Sequence, residues 1–282
     1  MTAALMDGAA LAERTLERIA ERVAEGVARG ARRPSIATVL VGDDPSSHTY
    51  VRMKVRRAER VGIDARRIDL PASTTTEQLV ATIAGLSADH EVDGILLQHP
   101  VPAHIDERAA FEAIAVGKDV DGVTFASYGR MALESGGFLS ATPGGILRLL
   151  DAYDVDVAGQ HAVVVGQGPI LGRPLSALLL RRGATVTSCH RLTRDLQGHV
   201  ERADVVVAAV GKARLVAGDW IKPGAVVIDA GYNPGNVGDV EFESARERAR
   251  LITPVPGGVG PMTIAVLLDQ TVEAWSGHLG LR

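Results

Sequence analysis

The chain has 282 residues, of which 46% are hydrophobic and 23% charged, with 30 basic against 34 acidic side chains and a net charge of −4. That balance is ordinary for a soluble globular protein with room for two domains or one large one, and it gives no sign of a nucleic-acid or membrane partner. Only 4% of the residues are aromatic, so the core must rest on Val, Ile, Leu and Ala, which suits strands buried on both faces of a parallel sheet.

Leu11 to Val27 carries apolar residues at helical spacing and predicts an amphipathic helix. Ile36 to Val41 is a buried strand ending at Gly42. The polar loop Asp43 to Ser47 follows, where Ser46 or Ser47 can cap a helix bearing Tyr50, Val51, Lys54, Val55 and Ala58. Residues 64–70 read as a strand, Thr76 to Ser87 as a helix capped by Thr74 or Thr75, Val92 to Leu97 as a third strand, and 106–115 as another helix. This alternation implies a parallel sheet flanked by helices, with active residues at the carboxyl ends of strands. Lys118 to Gly122 makes a polar bend, and Val123 to Ser140 has no clear period. Thr142-Pro143 starts a helix through Tyr153. Beyond His161, strands are expected at Ala162 to Val165, Ala184 to Ser188, Asp204 to Val210 and Ala225 to Ile228, with a final helix from Met262 to Trp275. The single cysteine, Cys189, excludes an intrachain disulfide and fits a reducing cytoplasm. The N-terminus lacks the pattern of a signal peptide, and no apolar run is long enough to span a membrane.

The stretch His161 to Leu180 reads as strand, glycine turn and helix. Gly166 permits the turn, Gly168 lets backbone N–H groups approach a pyrophosphate, and the helix N-terminus favours its charge. A tight strand–helix junction without a ligand is the plainer reading of the same residues. No acid stands about 20 residues after Gly166, where one would hold the ribose of NAD. His190, Arg191 and Arg194 stand there instead, and a planar guanidinium suits a 2′-phosphate. NADP is therefore favoured over NAD, unless Arg191 is simply a solvated surface residue.

Lys54 falls one helical turn after Tyr50, which places an amine beside a phenol above the end of a strand. A buried lysine can move a proton near neutral pH. Arg56, Arg57 and Arg60 nearby support the opposite reading, a solvated helix face. Gln98, at a strand end beside Pro100 and Pro102, is either functional or a structural amide, and Asp121 can be explained by its bend alone. His99, His104 and His190 have no metal-ligand spacing, so no metal is expected.

Several of these segments together resemble one family over nearly the whole chain. They are Pro254 to Thr263 (PVPGGVGPMT), Val41-Gly42 through Tyr50-Val51 to Lys54, Gln98-x-Pro100-x-Pro102, Lys118 to Gly122, Thr142-Pro143 and Gly166 to Pro174. The family is the bifunctional methylenetetrahydrofolate dehydrogenase/methenyltetrahydrofolate cyclohydrolases. The resemblance implies two α/β domains flanking a cleft, the C-terminal one a Rossmann-type dinucleotide-binding domain. Residues 1–145, completed by 262–282, would form the substrate domain, and 146–261 the NADP domain. It implies oxidation of 5,10-methylenetetrahydrofolate with NADP⁺, then hydrolysis to 10-formyltetrahydrofolate, by a cytoplasmic homodimer in one-carbon metabolism and purine biosynthesis. Lys54 would be the acid/base centre, supported by Gln98; Asp121 would grip the pterin, and Tyr50 would stack on the folate's aromatic linker. Leu97, His99, Pro256, Gly257, Gly258, Val259 and Gly260 would complete the substrate site. Gly166, Gln167, Gly168, Ile170, Gly172, Arg191 and Tyr232 would hold NADP.

The sequence departs from the family pattern at four places. Gly166-Gln167-Gly168 replaces a usual Gly-Arg-Ser, with Arg191 in a position to compensate. Val123 to Gly129 replaces a segment with His-Pro and Asn, His99 replaces a usual leucine, and the loop Tyr232 to Asp239 is short. These changes leave open a dehydrogenase with weak or lost cyclohydrolase activity, or a non-catalytic folate- or nucleotide-binding paralogue.

Overall fold

The apolar runs and amphipathic stretches alternate as strands and helices in the computed structural model, which describes residues 2–280. In chain order the elements are β1 (Ala4–Leu5), α1 (Gly8–Ala28), β2 (Ser35–Val41), α2 (Pro45–Arg60), β3 (Asp64–Leu70), α3 (Thr76–Ala88), β4 (Gly94–Leu97), α4 (Glu107–Glu112), α5 (Phe125–Ala132) and α6 (Ala141–Ala152). They continue with β5 (His161–Val165), α7 (Gly172–Arg181), β6 (Thr185–Cys189), α8 (Leu196–Glu201), β7 (Val205–Ala208), β8 (Val226–Asp229), α9 (Phe242–Arg248), β9 (Leu251–Ile252) and α10 (Val259–His278). The chain divides into two α/β units. One comprises Arg14–Ala141 and the chain from Ile264 onward; the other comprises the residues up to Glu13 and Thr142–Thr263.

In the first unit β2 lies between β3 and β4, all parallel. Being central, β2 is buried along its whole length, whereas the edge strand β3 exposes Arg67 and Asp69, charges that discourage pairing with another sheet. Leu16, Ile19 and Val23 of α1, Ile36 of β2, Leu96 of β4, and Leu267, Leu268 and Trp275 of α10 share one core. The cap of α2 is Asp44, whose carboxylate accepts from the Ser47 N–H at 2.7 Å, not Ser46 or Ser47. Pro45 occupies the first helical turn, where its missing N–H costs nothing, so the cap moves to the residue before it. Thr75 caps α3 in a reciprocal box with Gln78.

In the second unit six parallel strands run in the order β1-β9-β8-β7-β5-β6, with Val163, Val165, Val206, Ala208, Val227 and Ile252 in the core. This is the Rossmann-type arrangement that the resemblance implies, and its strands are parallel as the alternating pattern predicts. β1, β9, α5, α8 and α9 are absent from the sequence reading. They are two to eight residues long, too short for a period to show, and such helices depend on tertiary packing. Helix α10 begins at Val259, not Met262. Pro261 therefore lies in its first turn, where proline is tolerated. Among the described residues no helix is long and apolar enough to cross a membrane.

Candidate active site

The C-terminal end of β2 turns at Gly42, with φ of 86°, and α2 then carries Tyr50 and Lys54 on one face. Tyr50 is 36% exposed. Lys54 is half-buried, while Arg56 and Arg60 are exposed; the solvated-face reading holds for those arginines and fails for the lysine. Gln98 continues the β4 ladder, its N–H donating to the Val39 carbonyl at 2.8 Å. Its side-chain amide donates through Nε2 to the His99 carbonyl at 2.8 Å, which turns Oε1 toward Lys54, whose Nζ donates to it at 3.0 Å. The amide is thus structural on one side and a partner of the lysine on the other.

Asp121 completes the cluster from a rigid bend. Buried Lys118 donates to the carbonyls of Leu86 (3.2 Å) and Asp89 (2.6 Å). Buried Asp119 accepts from the N–H groups of Val123 (3.0 Å) and Thr124 (2.9 Å). At Gly122, with φ of 65°, a Cβ would lie 2.5 Å from the Ser140 nitrogen, so only glycine fits. The Gln270 amide of α10 donates to the carbonyls of Val120 and Leu139 at 2.7 and 2.9 Å. Local spacing carries no sign of Gln270, 150 residues from its partner.

Burial dominates the electrostatics. It lowers the Lys54 amine below the ordinary lysine range, while the charge of Asp121 opposes the shift. It pushes the Asp121 carboxyl up to about 6, with Lys54 pulling down and Asp119 adding to the rise. It drives the His99 imidazole down to about 4, and the Lys54 charge acts in the same direction. His99 is therefore neutral at working pH, and its ring meets Phe111 edge-on at 6.5 Å. The divergent segment after Gly122 has its own anchor. The Arg108 guanidinium sits 5.3 Å from the Phe111 ring centre and 4.7 Å from that of Phe125, and it donates to the Val123 carbonyl at 2.7 Å. Leu97 is a core residue, 1% exposed.

The glycine turn lies in the second unit. Gly166 has φ of 107°, and a Cβ there would sit 2.1 Å from the Ala209 oxygen; one on Gly172 would sit 1.9 Å from the Gly166 oxygen. These two glycines are demanded by protein packing. Gly168 is different, because a Cβ there meets no heavy atom within 4 Å. It leaves bare backbone just before α7, whose N-terminus has no side-chain cap and is suited to a phosphate. Gln167 folds back, its Nε2 donating to Val164 O and Ser176 Oγ, both at 3.3 Å. Arg191 is exposed two residues beyond Cys189, whose carbonyl accepts the Gly166 N–H at 2.9 Å. The residues present thus fit a phosphorylated dinucleotide. Ile170 is half-buried, and Tyr232 is 55% exposed with its hydroxyl donating to Asn236 Oδ1 at 2.7 Å. In the Pro254 to Thr263 motif Pro256 and Gly260 are exposed, Gly257 is half-buried with φ of 107°, and Gly258 and Val259 are buried. A Cβ on Gly258 would lie 2.6 Å from the Pro254 oxygen. The structure thus gathers Tyr50, Lys54, Gln98, His99 and Asp121 in one unit, and carries the glycine turn, Arg191, Tyr232 and the 256–260 loop in the other. No group of His, Cys, Asp or Glu among the described residues could hold a metal ion.

Comparison with known proteins adds to this geometry. Residues 6–121 match the tetrahydrofolate dehydrogenase/cyclohydrolase catalytic domain, and residues 140–279 match the NAD(P)-binding domain of the same family. A bifunctional FolD protein of Salinispora arenicola is 64% identical over 99% of this chain and 100% of its own length. The crystal structure of the FolD methylenetetrahydrofolate dehydrogenase/cyclohydrolase from Campylobacter jejuni superposes with a TM-score of 0.94 at 40% identity, covering 97% of this chain and 99% of the other. The Trypanosoma brucei dehydrogenase-cyclohydrolase, solved with NADP cofactor and inhibitor, has a TM-score of 0.95 at 36% identity, with 99% of each chain covered.

Proposed function

The chain belongs to the tetrahydrofolate dehydrogenase/cyclohydrolase family, and from that premise we propose how its own residues divide the work. The protein is an enzyme that oxidises 5,10-methylenetetrahydrofolate with NADP⁺ and hydrolyses the resulting 5,10-methenyl cation to 10-formyltetrahydrofolate. NADP⁺, when bound, supplies the hydride acceptor. Everything else falls to the protein: binding, orientation, and movement of protons.

The observation that carries the assignment is the half-buried Lys54 amine held by Gln98 Oε1 at 3.0 Å, with Asp121 within its electrostatic reach. The methenyl substrate is a cation, which together with burial favours neutral Lys54. The neutral amine takes one proton from the water whose oxygen bonds to the methenyl carbon; the carbon–N5 bond then breaks as the remaining hydroxyl proton passes to N5, so that the oxygen becomes the formyl carbonyl and the formyl group stays on N10. Gln98 keeps Nζ oriented for this transfer. Asp121, ionised above about pH 6, accepts N–H donors from the pterin edge, and Tyr50 stacks on the aromatic linker. Pro256, Gly257, Gly258, Val259 and Gly260 supply further substrate contacts, Leu97 and His99 flank Gln98, and Gly166 to Gly172 with Tyr232 receive the coenzyme. Arg191 binds the 2′-phosphate, since Gln167 is uncharged and engaged with Val164 and Ser176. The working form is a homodimer in the cytoplasm.

Purified protein given 5,10-methylenetetrahydrofolate and NADP⁺ is expected to form NADPH and 10-formyltetrahydrofolate. Accumulation of the methenyl species, seen by its near-ultraviolet absorbance, would reduce the assignment to a dehydrogenase. Ligand binding with neither product would reduce it to a binding protein.

A further inference from the structure

Two buried carboxylates hold the loops that leave β7 and β8 at the carboxyl end of the six-stranded sheet. Asp239, 0% exposed, accepts from the backbone N–H groups of Val210 (2.6 Å), Gly211 (2.9 Å) and Lys212 (2.8 Å), and from the Asn233 side-chain amide (3.0 Å). Asp229, the last residue of β8, accepts from the N–H groups of Gly231 (2.9 Å), Asp239 (3.0 Å) and Val240 (2.9 Å). The packing around them is close. A Cβ on Gly231 would lie 2.1 Å from the Asp239 carboxyl carbon, and one on Gly238 would lie 1.9 Å from Asp229 Oδ2.

The N–H groups gathered by Asp239 lie beyond the end of β7, outside the sheet ladder, at the edge where open α/β sheets receive ligands. The loop they define backs directly onto the glycine turn, because Gly166 packs against the Ala209 carbonyl and Ala209 immediately precedes Val210. On the other side the carboxylates tie Gly231 and Asn233, the two neighbours of Tyr232. A charged acceptor makes each of these bonds stronger than a neutral one would. The effect of the Asp239 charge therefore falls on loop position next to the turn.

We propose that Asp239, supported by Asp229, is a positioning residue for coenzyme binding, acting through the 209–212 loop on the Gly166 turn and through Asn233 on Tyr232. This rests on the assignment of NADP to that turn. Hydrolysis of the methenyl compound consumes no coenzyme, so the second activity of the same molecule serves as the control.

The test uses the full chain as wild type, Asp239→Asn and Asn233→Ala. The readouts are the NADP⁺ KM and kcat of the dehydrogenase, NADP⁺ Kd by calorimetry, and cyclohydrolase kcat on methenyltetrahydrofolate. Asp239→Asn is expected to raise the NADP⁺ KM and Kd about tenfold through weakened charge-assisted bonds, with both kcat values little changed. Asn233→Ala, which removes one donor and keeps the charge, is expected to raise them about threefold. Unaltered NADP⁺ affinity in Asp239→Asn, or parallel loss of both activities in a folded variant, would overturn the proposal. If Asp239→Asn does not fold, Asn233→Ala decides by the same readouts. Wild-type protein that binds no NADP⁺ would overturn the coenzyme assignment and this proposal with it, a result distinct from any variant outcome.

Discussion

Each unit contains a buried polar cluster, and the two are built on opposite terms. Around Asp229 and Asp239 each carboxylate collects three backbone N–H bonds, and Asp239 takes an amide as well. Around Lys54 an ammonium with three donors meets Gln98 among the described residues, and burial drives Lys54, Asp121 and His99 toward their neutral forms. A saturated cluster holds backbone in place and has little capacity left for a ligand. A cluster with spare donors can bind a charged substrate and move a proton; the spare donors make the difference, since burial displaces the proton affinity of Asp229 as well. On these terms the first cluster sets geometry and the second performs chemistry.

The largest expected effect is at the second cluster. Lys54→Met removes the proton acceptor and should lower cyclohydrolase kcat about a thousandfold while leaving NADP⁺ Kd near the wild-type value; a variant that hydrolyses methenyltetrahydrofolate normally would end the comparison. Asp121→Asn should raise the folate KM up to about a hundredfold by replacing a charged acceptor with a neutral amide. The pH dependence is the sharper measurement here. The carboxyl is held at about 6, so folate affinity of the wild type should fall as pH drops through that value, and the asparagine variant should show no such step.

In the other unit Arg191→Ala is expected to raise the NADP⁺ KM about tenfold with NAD⁺ little changed. Equal loss for both coenzymes, in the same dehydrogenase assay, would place phosphate selection elsewhere. The smallest effect is on stability. Burial raises Asp229 from an ordinary 3.8 to about 6, although its three N–H bonds pull it down. A group raised on folding contributes stability fully below its unfolded value and loses it as pH rises through the folded one. Wild-type stability should therefore decline between about pH 4 and 6 relative to Asp229→Asn, as measured by urea midpoints across that range; parallel curves for the two proteins would show that Asp229 does not titrate there.

Much of the fold was legible because its signals are local. Ile36 to Val41 and Ala162 to Val165 are apolar runs of strand length, and each ends at a glycine that the structure places at positive φ. Tyr50 and Lys54 share a face because four residues is about one helical turn. What was not legible depends on partners distant in sequence. Residues 125–132 form a helix, α5, although Gly129 obscures its pattern; it starts at Thr124, whose hydroxyl accepts from Ser127 N at 3.1 Å. Nothing in the spacing near residue 270 announces that Gln270 braces the bend bearing Asp121.

The sequence by itself determined the alternation of strand and helix and the glycine turn at 166–172, since period and turn geometry act over a few positions; residue chemistry raised positions 50, 54, 98 and 121 only beside plainer readings, and the family resemblance gave them their roles. Tertiary structure decided which of those candidates are more than surface. It half-buried Lys54 and left Arg56 and Arg60 in solvent. It oriented the Gln98 amide across 44 residues of chain, and it brought Asp239 back onto N–H groups 27 to 29 residues earlier. Proton affinity and hydrogen-bond saturation depend on burial and on through-space neighbours, and these exist only once the chain has folded.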